Sequence, residues 1–168
     1  LRTSRGLGDV YKRQITFCAR GYSPSDVPKD EINYSQERAW KDIISIMDNL
    51  KIETAHVVGL SMGGFATLHL GINAPNRVKS LVIAGCGYGA IPIDKTSYNQ
   101  DANFSNVSFD TAKNILDKGM EIVGTEYALG ASRVQFQNKD FKGWQLFNDQ
   151  LIKHDPIGSA NTLLGVQN

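Results

Sequence analysis

Apolar positions along the chain fall into short blocks that alternate between two periods. Ile15-Thr16-Phe17-Cys18-Ala19 is a β-branched and aromatic run that predicts a short strand. Arg20-Gly21-Tyr22-Ser23-Pro24-Ser25-Asp26 follows as a turn-rich loop. Trp40, Ile43, Ile44, Met47 and Leu50 then recur at helical spacing, which predicts a helix over 34–50 with Glu37, Lys41, Asp42 and Asp48 on its other faces. Asn33 with Gln36 is the expected cap at its start. Ala55-His56-Val57-Val58-Gly59 predicts a second strand, apolar nearly throughout, as where both faces are covered. Helical spacing returns at Met62, with Phe65, Leu68 and Ile72 along one side, and Asn73-Ala74-Pro75 ends it. Val78 to Ala84 predicts a third strand, closing in Gly85-Cys86-Gly87. Residues 15–87 thus run strand–helix–strand–helix–strand, an alternation that implies a parallel sheet joined by right-handed crossovers.

The pattern changes after Tyr88. Residues 88–107 are polar and loop-like. From about Ser108 the spacing is helical, with Ala112, Ile115, Leu116, Met120 and Val123 on one stripe. Further helical segments are expected over 126–137 and 141–154, and a fourth from Pro156, with Asp155 as its cap. No strand pattern occurs in this half. The expected division is a leader over 1–14, an α/β unit over 15–87 and a helical unit over 88–168. The leader, LRTSRGLGDVYKRQ, is basic and without period, and is set aside as non-native or disordered.

Composition narrows the class of function. Of 168 residues, 41% are hydrophobic and 21% charged, an ordinary globular balance. A formal net charge of +1 provides no global field for nucleic acid or an anionic membrane, so neither is an expected partner. The longest apolar runs are far shorter than the about 20 residues a bilayer span needs. Two cysteines, Cys18 and Cys86, do not make a disulfide framework, and no Cys/His cluster has zinc spacing. No metal or cofactor is expected. The cysteine usage points to a cytoplasmic setting.

Gly59-Leu60-Ser61-Met62-Gly63-Gly64 matches G-x-S-x-G between a predicted strand and a predicted helix. Such a turn holds its serine at positive φ, and glycines at 59 and 63 are expected where the chain crowds itself. Gly64 is expected to let the helix approach the neighbouring strand. Ser61 is the candidate nucleophile. The Met62 N–H, first in its helix and without an intrahelical acceptor, is the candidate oxyanion donor. Phosphate binding is the rival use of such a turn, but there is no G-x-G-x-x-G and no G-K-[ST].

These residues resemble the α/β-hydrolase superfamily. Arg20 to Asp26 is similar to the R-G-x-G-x-S loop after the family's fourth strand, with Cys18 where aspartate is frequent and Ser23 where glycine is frequent. Gly59 to Gly64 resembles the nucleophile elbow after its fifth strand. Ala74 to Val82 resembles the helix exit and sixth strand, and His154 to Ala160 the end of a helical cap. The resemblance implies a partial parallel sheet, strands four to six of the family, followed by a helical cap. It also implies that the oxyanion loop belongs before Ile15, and the acid and histidine after Asn168. The missing third strand would leave a gap between 15–19 and 55–59 and keep Cys18 and Cys86 too far apart for a disulfide.

None of the three histidines is well placed as a base. His56 lies roughly 16 Å from Ser61 along the strand. His69 is roughly 12 Å down the following helix. His154 ends a cap helix and is the one that local geometry does not exclude. Asp26 is expected in a turn, and Asp94 is the nearest acid after the third strand. The aromatics of the helical half (Tyr98, Phe104, Phe109, Tyr127, Phe136, Phe141, Trp144 and Phe147) have the spacing of core residues.

The expected function is that of a fragment of a serine hydrolase acting on a small-molecule ester, lactone or similar acyl substrate, inactive by itself for want of its acid, histidine and second oxyanion donor. Carbon–carbon bond hydrolysis by the same serine, and a non-catalytic ligand-binding homologue, are the alternatives. A helical interaction module over 108–165 is a third class. The sequence leaves oligomeric state open.

Overall fold

In the computed structural model of the chain, residues 14–87 and 103–167 are described, 103–105 by their backbone alone. Two strands, β1 (Ala55–Leu60) and β2 (Val78–Ala84), pair in parallel, with His56 opposite Ser80, Val58 opposite Val82 and Leu60 opposite Ala84. Between them in the chain runs α2 (Met62–Asn73), ended by the 3₁₀ turn Pro75–Arg77. Ahead of β1 lies α1 (Gln36–Asn49), which packs on α2.

The expected strand over Ile15–Ala19 does not form: only Thr16 makes an isolated bridge. Strand structure needs a paired neighbour. The sheet formed by the described strands contains β1 and β2, and 15–19 is not one of its strands.

The start of α1 also differs from expectation. Its cap is Ser35, whose hydroxyl accepts from the Arg38 N–H at 3.1 Å, and not Asn33, which closes the 3₁₀ turn Glu31–Asn33. Tyr34 sets this boundary. Its ring is buried, its hydroxyl donates to the Pro28 carbonyl at 2.8 Å and its backbone is extended, so the helix cannot begin before Ser35.

In α2 the buried side is Gly64, Ala66, Thr67 and Leu70, whereas Leu68 and Ile72 of the expected stripe are exposed, Ile72 at 67%. A helix apolar on all sides carries no period that selects its inward face. Here α2 is held between α1 and one face of the sheet, so it buries two sides. Val57, Gly59, Leu81 and Ile83 share that sheet face, and a Cβ on Gly71 of α2 would lie 2.4 Å from Leu81 Cδ1. The other face carries Val58 (73% exposed), Leu60 (71%) and Val82 (52%).

In residues 103–167 the elements are all helical, without a strand among those described: α3 (Asn103–Lys118), α4 (Met120–Ala128), α5 (Val134–Lys139), α6 (Phe141–Leu151) and α7 (Pro156–Gly165). The single helix expected over 126–137 is broken after Ala128, where Gly130 and the 3₁₀ turn Ala131–Arg133 intervene. α3 begins five residues before the expected Ser108. Gly119, at φ 80°, separates α3 from α4 within the stripe. Ala112, Ile115, Met120, Val123 and Ala160 form the core of this half, while Leu116 is 54% exposed. Asp155 caps α7 as expected, accepting from the Ile157 and Gly158 N–H groups, and Pro156 is its first residue.

α7 also joins the two halves. A Cβ on Gly158 would lie 2.0 Å from the Gly21 carbonyl oxygen, and one on Gly165 2.2 Å from that of Tyr34. Asn161 Nδ2 donates to the Lys29 carbonyl at 3.0 Å, and Gln36 Nε2 to the Val166 carbonyl at 2.6 Å.

Candidate active site

The turn between β1 and α2 has the predicted shape. Ser61 sits at φ 53°, ψ −117°, a left-handed conformation that costs a non-glycine residue about 1–3 kcal/mol. Its neighbours enforce the bend. The Ser61 N–H donates to the Ala84 carbonyl at the end of β2 (2.8 Å), and its own carbonyl accepts from the Phe65 N–H in the first turn of α2 (3.1 Å). Ser61 is exposed, and its side chain makes no cap bond to the helix.

The glycines around it do different work. A Cβ on Gly59 would lie 2.0 Å from the Gly63 carbonyl oxygen and 2.4 Å from Thr67 Oγ1. One on Gly64 would lie 2.4 Å from Cys86 Sγ and 3.0 Å from the Ala84 carbonyl oxygen, so this glycine sets how closely α2 approaches the end of β2. At Gly63 a Cβ would meet nothing within 4 Å. The crowding expected at both 59 and 63 therefore falls on 59 alone, because it is the backbone of residue 63 that faces residue 59.

Met62 opens α2, so its N–H has no carbonyl four residues back within the helix. It points from the positive end of the helix dipole, as an oxyanion donor must. The Met62 thioether lies 4.0 Å from Gln167 Nε2, just beyond the end of α7.

Among the described residues no histidine makes a hydrogen bond to Ser61. His56 Nδ1 lies 2.7 Å from Ser80 Oγ across the two strands, on the sheet face away from α2. His69 is in α2, where its carbonyl accepts from Asn73 Nδ2. His154, just past α6, stands edge-on to the Tyr22 ring, with centroids 5.0 Å apart. Burial lowers the His154 pKa and raises that of Tyr22. Asp26 holds its loop through its backbone carbonyl, which accepts from the Gly21 N–H, and Asp94 lies outside the described residues. Cys18 and Cys86 are both free, and the described residues contain no cluster of metal-ligating side chains. No helix among them is long and apolar enough to cross a membrane. A shallow groove lined by Asp48, Lys51, Glu53, Asn76 and Arg77 lies at the opposite end of β1 from Ser61, and its Arg77 is paired with Asp48 at 2.6 Å.

Sequence spacing did not reveal the part played by Ala84 and Cys86, which reach the elbow from the next strand. The signal was present in Gly85, which carries φ 63° and turns Cys86 back toward Ser61.

The chain is similar to several known proteins. A 72-residue stretch is 39% identical to 3-oxoadipate enol-lactonase 1 of Acinetobacter baylyi, covering 43% of this chain and 26% of that protein. A 108-residue stretch is 35% identical to the 2-hydroxymuconate semialdehyde hydrolase of Pseudomonas sp. strain CF600, covering 63% of this chain and 36% of that one. Among solved structures, a hydrolase from Pseudomonas aeruginosa PA01 superposes with a TM-score of 0.73 at 22% identity, over 89% of this chain and 52% of that chain. The chain thus spans about half the length of that structure and less of the two curated relatives. Residues 13–114, more than half of the chain, match the family model described as the alpha/beta hydrolase fold, and the chain belongs to that family.

Proposed function

We propose that Ser61 is the nucleophile of a serine hydrolase that cleaves a carboxylic ester, lactone or similar acyl bond. The observation that carries this is the conformation of Ser61: a non-glycine residue held at φ 53° on an exposed strand-to-helix turn, with the Met62 amide unspent behind it. Strain of this kind persists where the surrounding structure enforces it, and it collects at active sites.

In this mechanism Ser61 Oγ attacks the substrate carbonyl carbon and its proton passes to a base. The Met62 N–H, with a second donor, holds the tetrahedral oxyanion. The intermediate collapses, the leaving oxygen takes the proton from the base, and an acyl ester on Ser61 remains. Water, giving its proton to the same base, attacks that ester, and the base returns the proton to Ser61 Oγ as the acyl–oxygen bond breaks and the acid leaves. The base is not expected among the chain's three histidines: none hydrogen-bonds Ser61 among the described residues, His56 Nδ1 lies against Ser80 Oγ and His154 against the Tyr22 ring. We infer that the base belongs to further polypeptide, together with the acid and the second donor.

The uncovered sheet face supports that extension. Parallel sheets are buried on both sides, yet Val58, Leu60 and Val82 are exposed on the face away from α2. The helices over 103–165 would serve as a cap beside the site. By itself the 168-residue chain would have little or no activity, because removing members of a catalytic triad costs several powers of ten in rate.

The name of the enol-lactonase relative supports acyl transfer. Cleavage of a carbon–carbon bond beside a carbonyl is the second reading, favoured by the longer alignment to the semialdehyde hydrolase. Reaction of the full-length protein with a fluorophosphonate probe tests the shared nucleophile. Labelling on the peptide containing Ser61, lost in Ser61→Ala, is expected. Undiminished labelling of Ser61→Ala would overturn the proposal.

A further inference from the structure

Cys86 approaches the elbow from the far side of the turn that follows β2. Its Sγ lies 3.3 Å from the Ser61 carbonyl oxygen and 3.7 Å from that of Ala84. The single thiol proton goes to the nearer acceptor. The Ser61 carbonyl therefore receives two donors, the Cys86 S–H and the Phe65 N–H, one for each lone pair. Gly64 is what lets the thiol in, since a Cβ there would stand 2.4 Å from the sulfur. Gly85, at φ 63°, is what turns the chain so that residue 86 faces the elbow.

The consequence lies in the chemistry of the peptide bond. The carbonyl of Ser61 and the N–H of Met62 belong to one planar peptide group. Fixing the carbonyl fixes the direction of the N–H. A donor on the oxygen also polarises the group and makes the N–H a stronger donor in turn. On the other side of Ser61, the preceding peptide is fixed by its own N–H donating to the Ala84 carbonyl at 2.8 Å. The segment Ala84–Cys86 thus grips both peptides that flank the nucleophile, one by accepting and one by donating.

We propose that Cys86 is a positioning residue for the oxyanion hole, aiming and polarising the Met62 amide through the Ser61 carbonyl. This rests on Ser61 and Met62 having the roles proposed above. The thiol touches no substrate and acts only through the peptide it holds.

The test uses the full-length protein and reads the peptide group directly. The Ser61 carbonyl carbon and the Met62 amide nitrogen are followed by NMR in the unaltered chain, in Cys86→Ala and in Cys86→Ser. Loss of the donor in Cys86→Ala is expected to move both resonances upfield and to speed amide exchange at Phe65 about five-fold, the effect of one hydrogen bond of ordinary net strength. Cys86→Ser, with a stronger donor of similar shape, is expected to restore the exchange rate and to move the Ser61 carbon downfield of its position in the unaltered chain. The two variants should therefore bracket the native value, and the serine variant reads the effect even if the alanine variant fails to fold. Resonances at Ser61 and Met62 that are unmoved in Cys86→Ser would overturn the proposal, as would upfield movement in both variants. Because no catalysis is measured, this outcome is separate from probe labelling of Ser61: the hold of Cys86 on the Ser61–Met62 peptide can be found while the nucleophile assignment fails, and the reverse.

Discussion

Gly59 and Gly63 meet across the elbow so closely that a Cβ on Gly59 would stand 2.0 Å from the Gly63 carbonyl oxygen, while a Cβ on Gly63 would meet nothing within 4 Å. The two glycines of the motif are therefore unequal. Gly59→Ala must open the turn, and overpacking of this kind costs about 1–3 kcal/mol. Gly63→Ala has room and sits in a helix, where alanine is favoured over glycine by up to about 1 kcal/mol. Urea unfolding of the two variants should show shifts of opposite sign. Equal destabilisation would mean that residue 63 is crowded too.

Ser61 offers a second separation of stability from function. Its left-handed backbone is penalised by any Cβ, so Ser61→Ala keeps the strain and Ser61→Gly releases it. Both variants should lose reactivity toward an acyl probe, and the glycine variant should have a higher denaturant midpoint than the alanine one, corresponding to about 1 kcal/mol of unfolding free energy. Equal midpoints would argue that the turn is not strained.

α7 is fixed to the 20–36 segment by backbone contact, and one methyl group should disturb it. A Cβ on Gly158 would lie 2.0 Å from the Gly21 carbonyl oxygen, so Gly158→Ala should expose the amides of 158–165 to faster hydrogen exchange and lower stability by about 1–3 kcal/mol. Asp155→Ala removes only the cap bonds to Ile157 and Gly158, and should cost about 1 kcal/mol. Gly158→Ala without effect would show that α7 is not seated there.

The pH dependence has a definite sign. Burial beside Tyr22 lowers the His154 pKa below its ordinary value. The folded chain then binds a proton at His154 less readily than the unfolded chain does. The stability linked to neutral His154 is full above the unfolded pKa, near 6.5, and is lost as pH falls through the folded value. Denaturant midpoints measured from pH 7.5 to 5 should fall for the unaltered chain and fall less for His154→Phe. Parallel profiles would remove His154 as the cause.

The outer sheet face can be tested in the chain by itself. Val58 and Val82 face each other in register and are exposed. Val58→Thr with Val82→Thr should reduce binding of a hydrophobic dye while changing stability by no more than about 0.5 kcal/mol, as for surface substitutions without packing partners. A large loss of stability would mean that the face is already covered.

How much of this was legible in the sequence varied with the kind of signal. The elbow was legible because its constraints are local: an apolar strand, a glycine, a serine and a helix start within six residues. β1, β2 and the cap of α7 by Asp155 were legible for the same reason. The strand over Ile15–Ala19 was not, since pairing depends on a neighbour that the run itself does not encode. The inward face of α2 was hidden because Phe65, Leu68 and Ile72 compete with Ala66, Thr67 and Leu70 for it. The start of α1 was decided by the buried Tyr34 ring and not by the polar residues next to it. The hold of Cys86 on Ser61 joins positions far apart in the chain, and no spacing rule reaches that far.

The most direct measurement is the acyl-enzyme itself. Full-length protein is mixed with an activated ester, quenched in acid within the first turnover, and its peptides are mapped by mass. An added acyl group on the peptide containing Ser61, absent after Ser61→Ala, is the predicted result. Hydrolysis of the ester with the acyl group never found on Ser61, or equal turnover by Ser61→Ala, would contradict it.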